Sequence, residues 1–562
     1  MLSFKRHITF IALLSVATLY CPIALTAQTV QKQGTGVITG RITSADKGMA
    51  NVPVLLYSAE ISPNRTAVAR TTTDNEGNYR LTGVPAGRFT LTVAAPQMVG
   101  PNDTPFGEMG KPVTVAEGET IDKMDFSLVR GGVITGRITD ADGNPVADLR
   151  IQLHKQGTQG DSITSYLNPF MYQTDDRGVY RIYGIPPGRY TVAAGDGGGE
   201  GMVRVGFGQG YYQRTFYPDA ADESKATVID VSEGSEATHI DITLGRKARS
   251  FVATGRVVDE SGQPVANLRI GYGSLVRDNH IGGFGSGAVS DQQGRFRLDG
   301  LLPGRYAAFV YNDGASDSYS EAVPFQIAEA DVSGLVLKMH RGSSISGVAV
   351  IEGTTDRNVL AQLSQLTLLA SVRTEPGSLS APNFTRAKLA PDGSFTITGV
   401  RPGKFRFFLS GFPQPQGFTL ARVEQNGVQQ QEIEVAPGAQ VTDVRVVIQY
   451  GNGSIRGLVK VLGDVFPEGI RMSAQVHPLA GDEGRVRSVQ VDQRGHFLIE
   501  GLPPGEYEVI ISAYAGTFTP GKPPAIRFAP VKERVSVSNG AEAEVTLTFD
   551  PNAKLPEVKR DE

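Results

Sequence analysis

The residues whose types and spacing could do chemistry are few, and most of them read as turns. Seven histidines occur, His7, His154, His239, His280, His340, His477 and His496, and none has a second His or a Cys at ligand spacing. No zinc motif can form from them. His154 and His239 fall in strand-like stretches and read as packing or surface residues. No Gly-x-Ser-x-Gly elbow is present. The stretch from Gly516 to Lys522 imitates a phosphate loop, but Pro523 stands where a Ser or Thr would bind the metal. Asp140-Ala-Asp142-Gly and Asp259-Glu-Ser-Gly offer oxygen ligands, yet calcium needs about six, so turn formation is the simpler reading. No catalytic residue, no metal and no cofactor is expected, and the chain is not expected to be an enzyme.

One segment does not fit a scaffold. A Gly-rich stretch from Gly195 to Gly201 leads into Tyr211, Tyr212, Arg214, Phe216 and Tyr217, with Asp219 just beyond. Aromatic faces beside polar groups can stack on sugar rings or anchor a protein partner. They can also fill a core and pack the loop onto a neighbouring domain, and both readings stand at this point. The absence of Trp counts against a dedicated sugar platform. These five residues are the candidate ligand-binding set.

The elements that would position this segment are written five times. TDNEGNYRLTGVPAGRF ends at Phe89 and TDDRGVYRIYGIPPGRY at Tyr190. SDQQGRFRLDGLLPGRY ends at Tyr306, APDGSFTITGVRPGKF at Phe405 and VDQRGHFLIEGLPPGEY at Tyr507. Each copy follows an opening phrase marked by Gly40, Gly136, Gly255, Gly347 or Gly457. The marker glycines recur about every 90–120 residues, too far apart for solenoid turns, so each unit is a small domain. Within a unit the apolar period is two, as at Tyr180 and Ile182 or Phe395 and Ile397, which is the half-buried strand signature. The segment Asn358–Arg373 could hold a short helix or a longer strand.

The repeated phrase has a mechanical reading. Asp-x-x-Gly is a tight turn, because Asp bonds its own backbone and Gly supplies positive φ. Gly-hydrophobic-Pro-x-Gly is a second bend, because Pro cannot feed a ladder bond. The aromatic that follows should point inward. Repeat four reads Ala-Pro-Asp392-Gly393, so its turn should be built differently. Many short strands per unit without clear helices predict an all-β chain of five tandem antiparallel β-sandwich domains. The expected spans are 34–130, 131–248, 251–341, 342–452 and 453–551, with a polar tail at 552–562.

Residues 1–27 read as an export signal: Lys5 and Arg6, then an apolar run, then the small residues Ala24 and Ala27. Cys21, the only cysteine, lies inside it behind Tyr20, where a lipid-attachment site would have a small residue. A mature chain without cysteine must rely on its cores alone, and fits a bacterial source. No later segment is apolar enough to span a membrane as a helix. The 54 basic and 58 acidic residues nearly cancel, which gives no argument for nucleic acid or for an anionic membrane.

The combination G-x-[VI]-x-[DS]-x-x-G-x-P-[VI] and D-x-x-G-x-[YF]-x-[LI]-x-G-[LIV]-P-x-G-x-[YF] resembles the carboxypeptidase regulatory-like domain. It is strong in repeats one, two, three and five and looser in four. The resemblance implies transthyretin-like (prealbumin-like) β-sandwich modules, which accompany peptidases and outer-membrane receptors or form tandem arrays on exported bacterial proteins. It is specific for fold and weak for activity. The expected function is a non-catalytic binding or scaffold array at the cell envelope, with a glycan as one partner. The alternative is an accessory or adhesion protein that binds an envelope or extracellular protein, and a cryptic hydrolase ranks last. The expected location is periplasmic, cell-surface or secreted.

Overall fold

The computed structural model describes residues 34–555 except 61–65, 96, 101–109, 157–171, 196–210, 276–280, 312–315, 374–378, 380–383, 411–415, 464–465, 467–469, 480–485 and 516–525. The expected leader with Cys21, most of the Gly-rich stretch and the loop around Gly516–Lys522 therefore lie outside the described residues.

Buried apolar side chains fall into five separate clusters, one for each copy of the repeat. The span carrying each cluster is called a module below, numbered one to five in chain order. In module one the strand Gly36–Ser44 pairs antiparallel with Asn78–Val84 and parallel with Phe126–Arg130. A second sheet, ordered Ala67–Thr72, Pro53–Ser58, Gly87–Val93, Lys111–Val115, packs against it. Ile38, Leu56 and Leu91 between the sheets are fully buried, each contributing about 1.5–3 kcal/mol.

The other modules repeat the plan with one departure from an antiparallel sandwich. In all five, the opening strand pairs parallel with the closing one. The chain crosses to the facing sheet and back in between, and parallel pairing needs such a crossover. The segment after Asn358 resolves into both options: a helical turn at Arg357–Leu360, a 3-10 turn at Ala361–Gln365, then the strand Thr367–Val372.

The marker glycines lie under the closing strand. In module two a Cβ on Gly136 would sit 1.9 Å from the Ile240 carbonyl, and in module four one on Gly347 would sit 1.8 Å from that of Val444. Only a residue without a side chain lets the two backbones approach this closely. The motif aromatics point inward as expected: Phe89, Tyr190, Tyr306, Phe405 and Tyr507 are all buried. The tyrosine hydroxyls add a bond the sequence did not announce. Tyr190 donates to Pro186 O at 2.8 Å, Tyr306 to Leu302 O at 3.0 Å and Tyr507 to Pro503 O at 2.7 Å, which staples the Gly-Pro bend.

The Asp turns form as read. In module one Asp74 Oδ1 accepts the amides of Glu76 and Asn78 at 3.0 and 2.7 Å, and Gly77 N donates to Asp74 O. The turn of module four keeps the same backbone, with Gly393 N donating to Ala390 O and Ala390 N to Ser394 O. Only its side-chain cap differs, because Asp392 stands two residues later and accepts from Ser394 N.

Candidate functional site

The aromatic segment of module two is the site the sequence singled out, and it divides by depth. Phe216 lies in the short strand Thr215–Phe216, 3% exposed, with its ring 5.8 Å from that of His154. It fills the core side of the segment and cannot face a ligand. Tyr212 and Tyr217 are half-buried and pack against the module-two core. Burial raises the Tyr212 hydroxyl pKa, helped by the nearby Asp140 and Asp142. Tyr211 is half-exposed and exchanges two backbone bonds with Ala248, at 3.0 and 2.7 Å. The segment is thus tied through Ala248 to the end of module two. Arg214 is half-buried, and its Nε is enclosed without a hydrogen-bond partner among the described residues.

Modules one, two, four and five are each led by a glycine packed onto the Gly-Pro bend. A Cβ on Gly34, Gly131, Gly342 or Gly451 would lie 2.0–2.7 Å from backbone atoms of Pro85, Gly184, Gly399 or Pro503. Module three is led by Ser250 instead.

A second constellation, missed from sequence, joins the two ends of the array. The strands Gly87–Val93 and Lys111–Val115 of module one pack against His496–Leu502 of module five. Asp492, the turn aspartate of repeat five, is 1% exposed. Its Oδ1 caps its own turn, accepting from Arg494 N and His496 N at 2.9 and 2.8 Å. Its Oδ2 accepts from Thr114 N of module one at 3.1 Å. Arg494 donates from Nη2 to Thr114 O at 2.6 Å and from Nη1 to Glu119 Oε1 at 2.7 Å. The array is therefore closed end to end. Burial would raise the Glu119 carboxyl, but the Ala116 amide and the Arg494 guanidinium outweigh it and hold the pKa below its ordinary value. Glu500 lies alongside, 3.9 Å from Arg88, and burial pushes its pKa up.

The remaining candidates behave as turns or packing. Asp140 Oδ1 accepts the amides of Asp142 and Asn144, and Asp259 Oδ1 those of Ser261 and Gln263. Their carboxylates are committed to backbone. His154 is buried against Phe216 and lies 3.8 Å from Glu223. His239 is exposed, with φ 61°. Among the described residues no group of three or more His, Cys, Asp or Glu could hold a metal ion, and no helix is long and apolar enough to cross a membrane.

The family model of the carboxypeptidase regulatory-like domain matches three times, over residues 37–129, 133–245 and 253–340. The chain belongs to the carboxypeptidase regulatory-like domain family. The matches cover the first three modules. No curated protein matches the chain. Among solved structures the chain is similar to the Bacillus anthracis TIE protein, at 9% identity over 90% of this chain and 76% of that one, with a TM-score of 0.16. It is also similar to a streptococcal ancillary pilin, at 13% identity over 54% of this chain and 100% of that one, TM-score 0.20. Two B repeat units of the collagen-binding protein of Staphylococcus aureus match at 8% identity over 75% of this chain and 100% of that one, TM-score 0.14. Similarities of this size carry no functional argument.

Proposed function

We propose that this regulatory-like domain protein is a non-catalytic, exported array that binds and spaces partners at the cell envelope. Its modules would span 34–130, 131–248, 251–341, 342–452 and 453–551, behind a leader at 1–27. One observation carries the reading. The polar residues shared by the repeats are consumed by each module's own backbone: turn aspartates on amides and motif tyrosines on bend carbonyls. What the modules have in common is architecture, so specific contacts fall where they differ.

The binding surface we assign is the outer part of the module-two segment: Tyr211, Arg214 and Tyr217, with Tyr212 as support and Phe216 as the buried anchor. Tyr211 and Tyr217 beside Arg214 favour a ligand that combines an apolar face with acceptors, as a glycan or a protein segment does. The test is a pull-down from an envelope fraction with residues 28–562, beside a glycan array. Capture of one glycan or protein, weakened at least tenfold by Tyr211→Ala or Tyr217→Ala, is expected. A hydrolytic activity abolished by one point change would overturn the non-catalytic reading. Binding that ignores both tyrosines would overturn the assigned surface.

A further inference from the structure

The turn that closes the array exists twice. Repeat five reads Asp492-Gln-Arg494-Gly495 and repeat two reads Asp175-Asp-Arg177-Gly178, whereas repeats one and three have Glu76 and Gln293 at the arginine position. The two turns have one geometry. Asp175 Oδ1 accepts from Arg177 N and Val179 N at 3.0 and 2.7 Å, matching the bonds of Asp492 to Arg494 N and His496 N at 2.9 and 2.8 Å. In each, the arginine Nη2 also leans on the aspartate Oδ2, at 3.4 Å in module two and 3.1 Å in module five.

Their surroundings differ in what covers them and in the outward residues of the following strand, Val179, Arg181 and Tyr183 in module two against His496, Leu498 and Glu500 in module five. In module five the outward face of the following strand is closed over: Leu498, which points away from the module's own core, is 3% exposed. In module two the matching strand Val179–Ile185 lies open. Val179 and Tyr183 are exposed, Arg181 is exposed, and the Arg177 side chain is 78% exposed. Access is the same in both. Module four abuts the far end of the module-five face through Thr419 and Gly417. Module one abuts the far end of the module-two face through the strand Met98–Val99. Among the described residues, the contacts of each preceding module lie at the end of the face away from the turn.

We propose that the Asp175–Arg177 turn, with the Val179–Tyr183 face, is a second docking site for the edge of module one, and that its occupant is module one of a second copy of this chain. The recognition chemistry is the one already made within the chain. A backbone amide and carbonyl at Thr114 meet aspartate Oδ2 and arginine Nη2, and a carboxylate at Glu119 meets Nη1. Exposed Val179 and Tyr183 add apolar area where module five presents His496 and Glu500. Closure within one chain is favoured by effective concentration, so the second site fills only when that closure opens. An interface that closes in one chain and can pass to the next generates linked copies.

The test uses the full mature chain. Arg494→Glu sets like charge against Glu119 and opens the closure, read as a larger maximum dimension in X-ray scattering. Sedimentation velocity of this variant should show concentration-dependent association, with average mass rising toward about twofold in the micromolar range. Arg494→Glu with Arg177→Glu should open equally and stay monomeric, and wild type should be a closed monomer. Three results would overturn the proposal: an opened Arg494→Glu chain that stays monomeric, association that survives Arg177→Glu, or a variant that does not open.

Discussion

Modules two and five carry the same turn and put it to opposite ends. Asp175 and Asp492 hold their backbones in the same way, yet one stands in solvent and the other is sealed under module one. Local sequence determines the shape of the turn, while a segment 378 residues away in sequence determines its energetics. In module two the arginine–aspartate contact is a surface pair of the kind worth little. In module five the same pair also carries Thr114 and Glu119, with Asp492 fully buried and the Arg494 and Glu119 side chains each about three-quarters covered, so losing one partner leaves the other poorly solvated.

That contrast can be broken most severely at the aspartates. Asp492→Ala removes the turn cap and leaves Arg494 enclosed with part of its partnership gone. A loss of about 3 kcal/mol is expected in urea unfolding of the transition that includes modules one and five, with opening of the ring in scattering. Asp175→Ala removes the cap alone and should cost clearly less and leave the ring shut. Equal losses from the two would show that the burial of Asp492 contributes nothing. The arginines come next: Arg494→Ala should cost about 2 kcal/mol, while Arg177→Ala should leave the unfolding midpoint unchanged.

A pH titration sharpens the same contrast with a smaller effect. The Glu119 carboxyl has a lowered pKa in the fold, so its contribution is present above its ordinary range and disappears as pH falls through the lowered value. Glu500 works the other way, because its raised pKa means that protonation relieves a strained burial. Glu119→Gln should therefore weaken closure at pH 7 and match wild type once the pH has fallen below the lowered value. Glu500→Gln should tighten closure at pH 7 if its desolvation outweighs the 3.9 Å approach of Arg88. Interdomain fluorescence transfer from two introduced cysteines would follow both variants, since the only native Cys is Cys21 in the expected leader. The smallest effect belongs to Tyr211→Ala, which leaves the backbone bonds to Ala248 in place and should barely change the unfolding of module two.

Much of this architecture was legible because it is local. The Asp-x-x-Gly turns, the Gly-Pro bends and the inward aromatics each follow from residues a few positions apart, and repetition multiplied the signal. Parallel pairing of the opening and closing strands was not legible, since Gly36–Ser44 and Phe126–Arg130 have no shared pattern that states direction. Of the candidate site, the sequence found the segment but not its depth: alternation could not say that Phe216 goes in and Tyr211 reaches the linker. The closure was missed outright. Its one sequence trace was an arginine at the third turn position in repeats two and five, which reads as a surface charge until Glu119 is found against it. The leading glycines Gly34, Gly131, Gly342 and Gly451 were also in plain view, but their need appears only when the bend beneath each is known.

The parallel pairing has a consequence for a chain under tension. When opening and closing strands run side by side in one direction, pulling on a module's two ends slides them past each other. The bonds between them are then loaded together in shear rather than peeled singly. Modules four and five register eight residue pairs along this seam, whereas module two registers four in two short patches. A force applied along the opened array should therefore yield module two first and modules four and five last, a staircase of rupture events that a single-molecule pulling trace would resolve.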